Sequence, residues 1–136
     1  MSRMSYDISL IDPVTKQTLE LDAPHHMRGG TYAVGGTTQA SLNITYNYAP
    51  QFFRAFEPYW HDIGPLPDGG AITQGIRILY GMTGASSLPL LDRAIAALGD
   101  DVDPDYWKPT DGNAKRALLQ LRALAEMRPD GVWDGD

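Results

Sequence analysis

The stretch YDISLIDPVTKQTLELD, residues 6–22, decides the fold class of this chain. On both sides of its centre, apolar residues alternate with polar ones, a pattern typical of β-strands with one buried face. The central Asp12-Pro13 pair favours a tight turn, because aspartate accepts hydrogen bonds from nearby backbone amides and proline presets φ. The sequence therefore predicts a β-hairpin over residues 6–22.

A further strand is predicted from Ser41 to Tyr48, where an apolar and aromatic face alternates with a face of amides and hydroxyls. The intervening residues 23–38 are predicted to form a loop. They contain two Gly-Gly pairs, which permit backbone conformations closed to other residues. A short strand candidate, residues 31–34, lies between the pairs.

The second half of the chain has the spacing of amphipathic helices. Helices are predicted over residues 50–56, 71–80, 86–98 and 113–127. Ser86 or Ser87 is expected to cap the third, Thr110 or Asp111 is expected to cap the fourth, and residues 130–136 are expected to form a polar tail. Because strands precede helices, the predicted class is α+β: a small antiparallel sheet from the N-terminal half, packed against about four mostly C-terminal helices.

Composition limits what the protein can be. Its 136 residues are 43% hydrophobic and 21% charged, which predicts a single globular domain over residues 1–136. The absence of cysteine excludes disulfides and thiolate chemistry. A formal net charge of -6 argues against direct nucleic-acid binding. Without an apolar signal or membrane run, the expected location is the cytoplasm.

Histidines are few and poorly spaced for metal binding. His25 and His26 are adjacent, so on a strand they would point to opposite faces, and His61 stands alone. No metal and no cofactor is predicted. No G-x-S-x-G motif is present, and the protein is predicted not to be an enzyme. A small enzyme using His25 or His26 as a base, with Thr31 or Thr45 as nucleophile, stays open as an alternative.

A small-ligand pocket is a second alternative. The Gly-Gly pairs could expose backbone amides to a phosphate, with Arg28 as the nearby cation. The rings of Tyr32 and Tyr46 could stack on a base, and Asn43 and Asn47 could hydrogen-bond to its edge. The predicted ligand-binding residues are these five. The competing interpretation is a tight turn with the tyrosines in the core.

Aromatic residues crowd the segment from Phe52 to Trp60. A helix of about two turns buries one side only, so some of these rings should be exposed, and exposed aromatics are typical interface anchors. Phe53, Tyr59, Trp60 and the distant Trp133 are therefore predicted to contact another protein. In the alternative interpretation, the phenylalanines fill the core. Self-association to a homodimer also stays open.

Several segments resemble small proteins encoded by bacteriophages, prophages and other mobile elements. The likeness lies in residues 24–38, 42–50, 113–118 and 127–136. The resemblance implies an accessory protein that binds and modulates a host protein in the bacterial cytoplasm, such as a CRISPR or restriction component. The alternative that the resemblance leaves open is a protein that sequesters a nucleotide signal. The resemblance assigns no catalytic residue.

Overall fold

The structure, a computed structural model, describes residues 5–25, 37–57 and 75–135. Its strands are β1 (Ser5–Ile11), β2 (Glu20–His25), β3 (Thr37–Gln39), β4 (Ser41–Thr45) and β5 (Val132–Gly135). Its α-helices are α1 (Ala49–Phe56), α2 (Gly84–Ala96) and α3 (Asp111–Met127). Two 3-10 helices, Tyr46–Tyr48 and Gly75–Leu79, complete these elements. The predicted α+β class is confirmed, with three α-helices in the described ranges instead of about four.

The main sheet is antiparallel, with strand order β4-β1-β5. Along β1, Tyr6, Ile8 and Leu10 are buried on one face, as the alternation predicts. That face forms the core with the three α-helices, and α2 packs along α3. Strands β2 and β3 form a separate two-stranded sheet.

The predicted hairpin is correct at its turn and wrong in its pairing. Asp12 Oδ1 accepts hydrogen bonds from the amides of Val14 (2.8 Å) and Thr15 (2.9 Å), and these bonds lower the pKa of Asp12. After a single bridge between Ile11 and Thr18, however, β2 leaves β1 and pairs with β3. The reason is that β4 and β5 occupy the two sides of β1.

The C-terminal segment is not a polar tail, which corrects two predictions. Residues 132–135 form β5, so the sheet is not built from the N-terminal half alone. Trp133 lies opposite Leu10 and is 1% exposed, so it cannot serve as the predicted interface anchor. Its indole Nε1–H donates to the hydroxyl of Ser87 at 2.8 Å. Backbone pairing and burial of one large ring hold this short strand in place.

Helix α1 confirms the predicted helix over residues 50–56. The strand predicted to reach Tyr48 instead ends at Thr45, where a 3-10 helix begins. The hydroxyl of Thr45 accepts the amide of Asn47 at 3.1 Å, and this cap competes with continued strand pairing. The chain therefore turns from the sheet into α1 without a long loop.

The other two helices begin at threonine caps. Thr110 caps α3 as predicted, accepting the amide of Asn113 at 3.1 Å. For α2 the cap is Thr83, which accepts the amide of Ser86 at 3.0 Å, so the predicted serine caps are wrong. Gly81, with φ at +92°, follows the 3-10 helix that replaces the described part of the helix predicted over 71–80.

Among the helices that the structure describes, none is both long and apolar enough to cross a membrane.

Candidate functional site

The residues predicted to bind a ligand do not converge where the structure describes them. Asn43 Nδ2 donates to Ser5 Oγ (2.7 Å) and to Asp7 Oδ1 (2.6 Å). The ring of Tyr46 instead packs edge-on against Tyr6, with centroids 4.6 Å apart. Tyr6 and Asp7 are neighbours in β1, so their side chains point to opposite faces of the sheet. Asn43 and Tyr46 therefore belong to different faces.

Asn47 is directed to a third place, where its Nδ2 donates to the carbonyl of Trp107 at 2.8 Å. Arg28 and Tyr32 lie outside the described residues. The guanidinium of Arg77 lies 5.7 Å from the ring centroid of Tyr46 and 4.9 Å from that of Tyr6. The Tyr46 ring thus stacks on protein groups, as the core interpretation of the tyrosines expects.

Only Thr45 among the candidate catalytic residues has a side chain that the structure describes. Thr45 is buried, and its hydroxyl caps the 3-10 helix. His25 lies in β2, but its side chain is outside the described part of the structure. His26, Thr31 and His61 lie outside the described residues altogether. In residues 5–25, 37–57 and 75–135, no three histidine, aspartate or glutamate side chains are grouped so that they could hold a metal ion.

The predicted aromatic interface is only partly described. Phe53 is half-buried on α1, whereas Phe52 and Phe56 are fully buried, as the core interpretation expects for those two. Tyr59 and Trp60 lie outside the described residues.

The most exposed aromatic ring in the described ranges is that of Trp107, which is 56% exposed and is not among the four predicted interface residues. It follows Tyr106 in the loop between α2 and α3, and the two rings meet edge-on with centroids 5.0 Å apart. The only signal in the sequence is an aromatic pair after an acidic stretch, which does not distinguish an exposed ring from a buried one.

The backbone that carries Trp107 is tied firmly to the end of β4. The hydroxyl of Tyr106 accepts the amide of Thr45 at 3.0 Å, and the carbonyl of Trp107 accepts Asn47 Nδ2. The hydroxyl of Tyr48 donates to the carbonyl of Tyr106. Burial raises the pKa of Tyr48, so this hydroxyl keeps its proton and remains a donor.

Asn113, 3% exposed near the start of α3, holds the same loop from the other side. Its Oδ1 accepts the amide of Asp103 at 3.0 Å. Its Nδ2 donates to the carbonyls of Asp105 (3.0 Å) and Lys108 (3.1 Å). One buried amide therefore fixes three points of the loop on both sides of Trp107.

The start of α3 adds two more restraints. Asp111 accepts the amide of Gly99 at 3.1 Å and pairs with Arg54 of α1, and these interactions, the Gly99 bond foremost, lower the pKa of Asp111. A Cβ on Gly112 would lie 2.7 Å from the backbone of Asp101 and Val102, so only glycine permits this close approach. The loop thus rests directly on the helix, with the ring of Trp107 outside.

Comparison of the chain with models of known protein families, with curated proteins and with solved structures gives no match.

Proposed function

We propose that this protein acts by binding another protein through a surface centred on Trp107. The observation that carries the proposal is an exposed tryptophan ring on a backbone fixed from both sides, by Asn47 and by Asn113. Tryptophan is among the commonest anchors of protein interfaces. An anchor whose backbone is already ordered loses little conformational entropy on binding.

The neighbourhood of the ring has the polar rim expected around an interface anchor. Gln51 of α1 donates to the carbonyl of Pro109 at 2.6 Å. Lys108 lies 3.6 Å from a carboxylate oxygen of Asp103. Together with the Arg54–Asp111 pair, these groups place charges of both signs along the loop that carries Trp107.

We propose further that the partner is a host protein in the bacterial cytoplasm, such as a component of a defence system. Support comes from the resemblance of residues 24–38 and 127–136 to proteins of phages and mobile elements. The net charge of -6 favours a protein partner over nucleic acid. Nucleotide sequestration is not proposed, because the side-chain amides of Asn43 and Asn47 are already bonded within the protein.

The test places a photo-crosslinking amino acid, benzoylphenylalanine, at position 107 in bacterial cells. Val14 at the hairpin turn, 85% exposed, is the matched control position. We expect a specific crosslinked protein at 107 and none at 14. With that partner purified, Trp107→Ala should weaken binding by about 30-fold or more, since an anchor contributes about 2 kcal/mol or more. Equal crosslinking at both positions, or unchanged affinity, would contradict the proposal.

A further inference from the structure

The geometry of the sheet edge points to how the partner binds: we propose that an extended segment of the partner adds as a strand to the outer edge of β4 and ends against Trp107. This inference rests on the proposed function, because it assumes a protein partner. Strand addition is a recurrent mode of peptide recognition, in which main-chain hydrogen bonds supply affinity and alternate side chains supply specificity.

Pairing along β1 fixes which way the backbone groups of β4 point. The amide of Leu10 donates to the carbonyl of Ala40 at 2.8 Å, so Leu10 faces the β4 side of β1. By alternation, Ile8 and Tyr6 face the same side and bond to Leu42 and Ile44. The amides and carbonyls of Ser41 and Asn43 therefore point away from β1, to the outer edge.

In the described ranges, no backbone group pairs with the outward amides and carbonyls of Ser41 and Asn43. Neither residue is buried. An edge of this kind is a template for another strand, because its amides and carbonyls match only an extended backbone. At Thr45 the template ends, since the hydroxyl of Tyr106 already accepts that amide. An added strand reaching this point would meet Tyr106, whose ring packs edge-on against that of Trp107.

The opposite edge of the sheet offers no such template. There the amide of Trp133 donates to the carbonyl of Met82, and the amide of Gly81 donates to the carbonyl of Trp133, both at 2.9 Å. The segment from Gly81 to Gly84 thus covers β5.

The occupant that fits is a segment of a different protein, not a second copy of this chain. A symmetric antiparallel pair of β4 strands centred on Asn43 would need the amide of Thr45, which Tyr106 holds, so a second copy could pair only about Leu42, through Ser41 and Asn43. The charge of -6 on each copy also opposes self-association.

The two faces of the edge indicate the side chains of the segment. Its residues opposite Ser41 and Asn43 would lie on the face of the sheet that these two polar side chains share, and a lysine or arginine there complements the net charge of -6 of the protein. The residue at the Thr45 end would be apolar, to pack on Trp107. We therefore expect an alternating segment with at least one basic residue and an apolar end.

The first arm of the test needs no partner: amide hydrogen exchange of the free protein, measured by NMR. We expect fast exchange at Ser41 and Asn43 and slow exchange at Leu42 and Ile44. Slow exchange at all four would overturn the inference, because the edge would then be covered. If the protein also sedimented as a dimer, the cover would be a second copy.

The second arm selects peptides from a displayed random 12-residue library on the intact protein, with counter-selection on Trp107→Ala. We expect basic, alternating peptides that slow the exchange of Ser41 and Asn43 by about tenfold or more. Peptides that need Trp107 but leave this exchange unchanged would overturn strand addition and leave the proposed function standing. If the selection gives no peptide that depends on Trp107 while the crosslink at position 107 is still present, strand addition is overturned as well. A missing crosslink would instead contradict the proposed function.

A pair of substitutions at one position completes the design. Ser41→Pro removes an outward amide and no bond to β1, whereas Ser41→Ala keeps the amide and removes only the hydroxyl. We expect the proline variant to bind a selected peptide at least tenfold more weakly and the alanine variant to bind like wild type. If Ser41→Pro unfolds, the exchange measurements decide alone, and equal binding by both folded variants would overturn the inference.

Discussion

Two tryptophans stand at the two edges of the same three-stranded sheet and are used in opposite ways. Trp133 at the β5 edge is 1% exposed and bonds through its indole to Ser87. Trp107 beside the β4 edge is 56% exposed and bonds through its backbone carbonyl to Asn47. At the β5 edge the ring is buried in the core. At the other the chain orders the backbone and leaves the ring, and with it the apolar area, available to a partner.

The largest effect should separate these two rings directly. Truncating Trp133 to alanine removes a buried ring and should lower the free energy of unfolding by about 3–5 kcal/mol. Trp107→Ala removes a mostly exposed ring and should lower it by less than about 1 kcal/mol. Urea unfolding followed by circular dichroism measures both. Similar losses from the two substitutions would break the comparison, because the ring of Trp107 would then support the fold.

A second substitution tests whether the backbone under Trp107 is held as firmly as the contacts indicate. Asn113→Ala leaves three loop groups without their partner, and at about 1 kcal/mol for each bond the loss should be about 2–3 kcal/mol. The indole N–H resonance of Trp107 should shift and broaden in NMR spectra, while that of Trp133 stays in place. Asn47→Ala, which removes a single bond, is the milder control. An unmoved Trp107 resonance in Asn113→Ala would show that the loop does not depend on this residue.

The sequence predicts individual elements better than it predicts how the strands pair. Alternation in β1 identifies Tyr6, Ile8 and Leu10 as core, and the cap at Thr110 is correct, because both signals are local. The pairing of β2 with β3 was not predictable, since two other strands had first to occupy β1. Likewise β5 is too short to show a period, and its place depends on contacts with residues far along the chain.

The candidate site was predicted less well, for a related reason. Asn43, Tyr46 and Asn47 are close in sequence, but the change from strand to 3-10 helix after Thr45 sends their side chains in three directions. The loop that carries Trp107 is bonded from inside by Asn113. A single buried asparagine has no sequence signature that distinguishes it from the many exposed ones.

The two threonine caps allow a matched test of smaller size. Thr83 caps the start of α2, next to the β5 edge, and Thr110 caps the start of α3, next to the loop of Trp107. Replacing either with alanine should lower the free energy of unfolding by about 1 kcal/mol. Only Thr110→Ala should also shift the indole resonance of Trp107, because the loop joins α3 at that cap. A shift of the Trp107 resonance in both variants would mean that the two edges are not independent, and a shift in neither would mean that the loop of Trp107 does not depend on the Thr110 cap.

The smallest expected effect is a dependence on pH that arises at Asp111. Its folded-state pKa lies below the unfolded value of about 3.9, because it accepts the Gly99 amide and pairs with Arg54. A lowered pKa stabilises the fold above the unfolded pKa, and the contribution is lost as the pH falls through the folded value. Asp111→Asn should therefore show a shallower loss of stability below about pH 4 than wild type. Asp12→Asn is the control. This variant should also show a shallower loss of stability below about pH 4, without a shift of the Trp107 resonance. Protonating Asp111, by contrast, should release the loop and shift the Trp107 resonance. If acid moved the Trp107 resonance equally in wild type and in Asp111→Asn, Asp111 would not be the group that holds the loop of Trp107 in place.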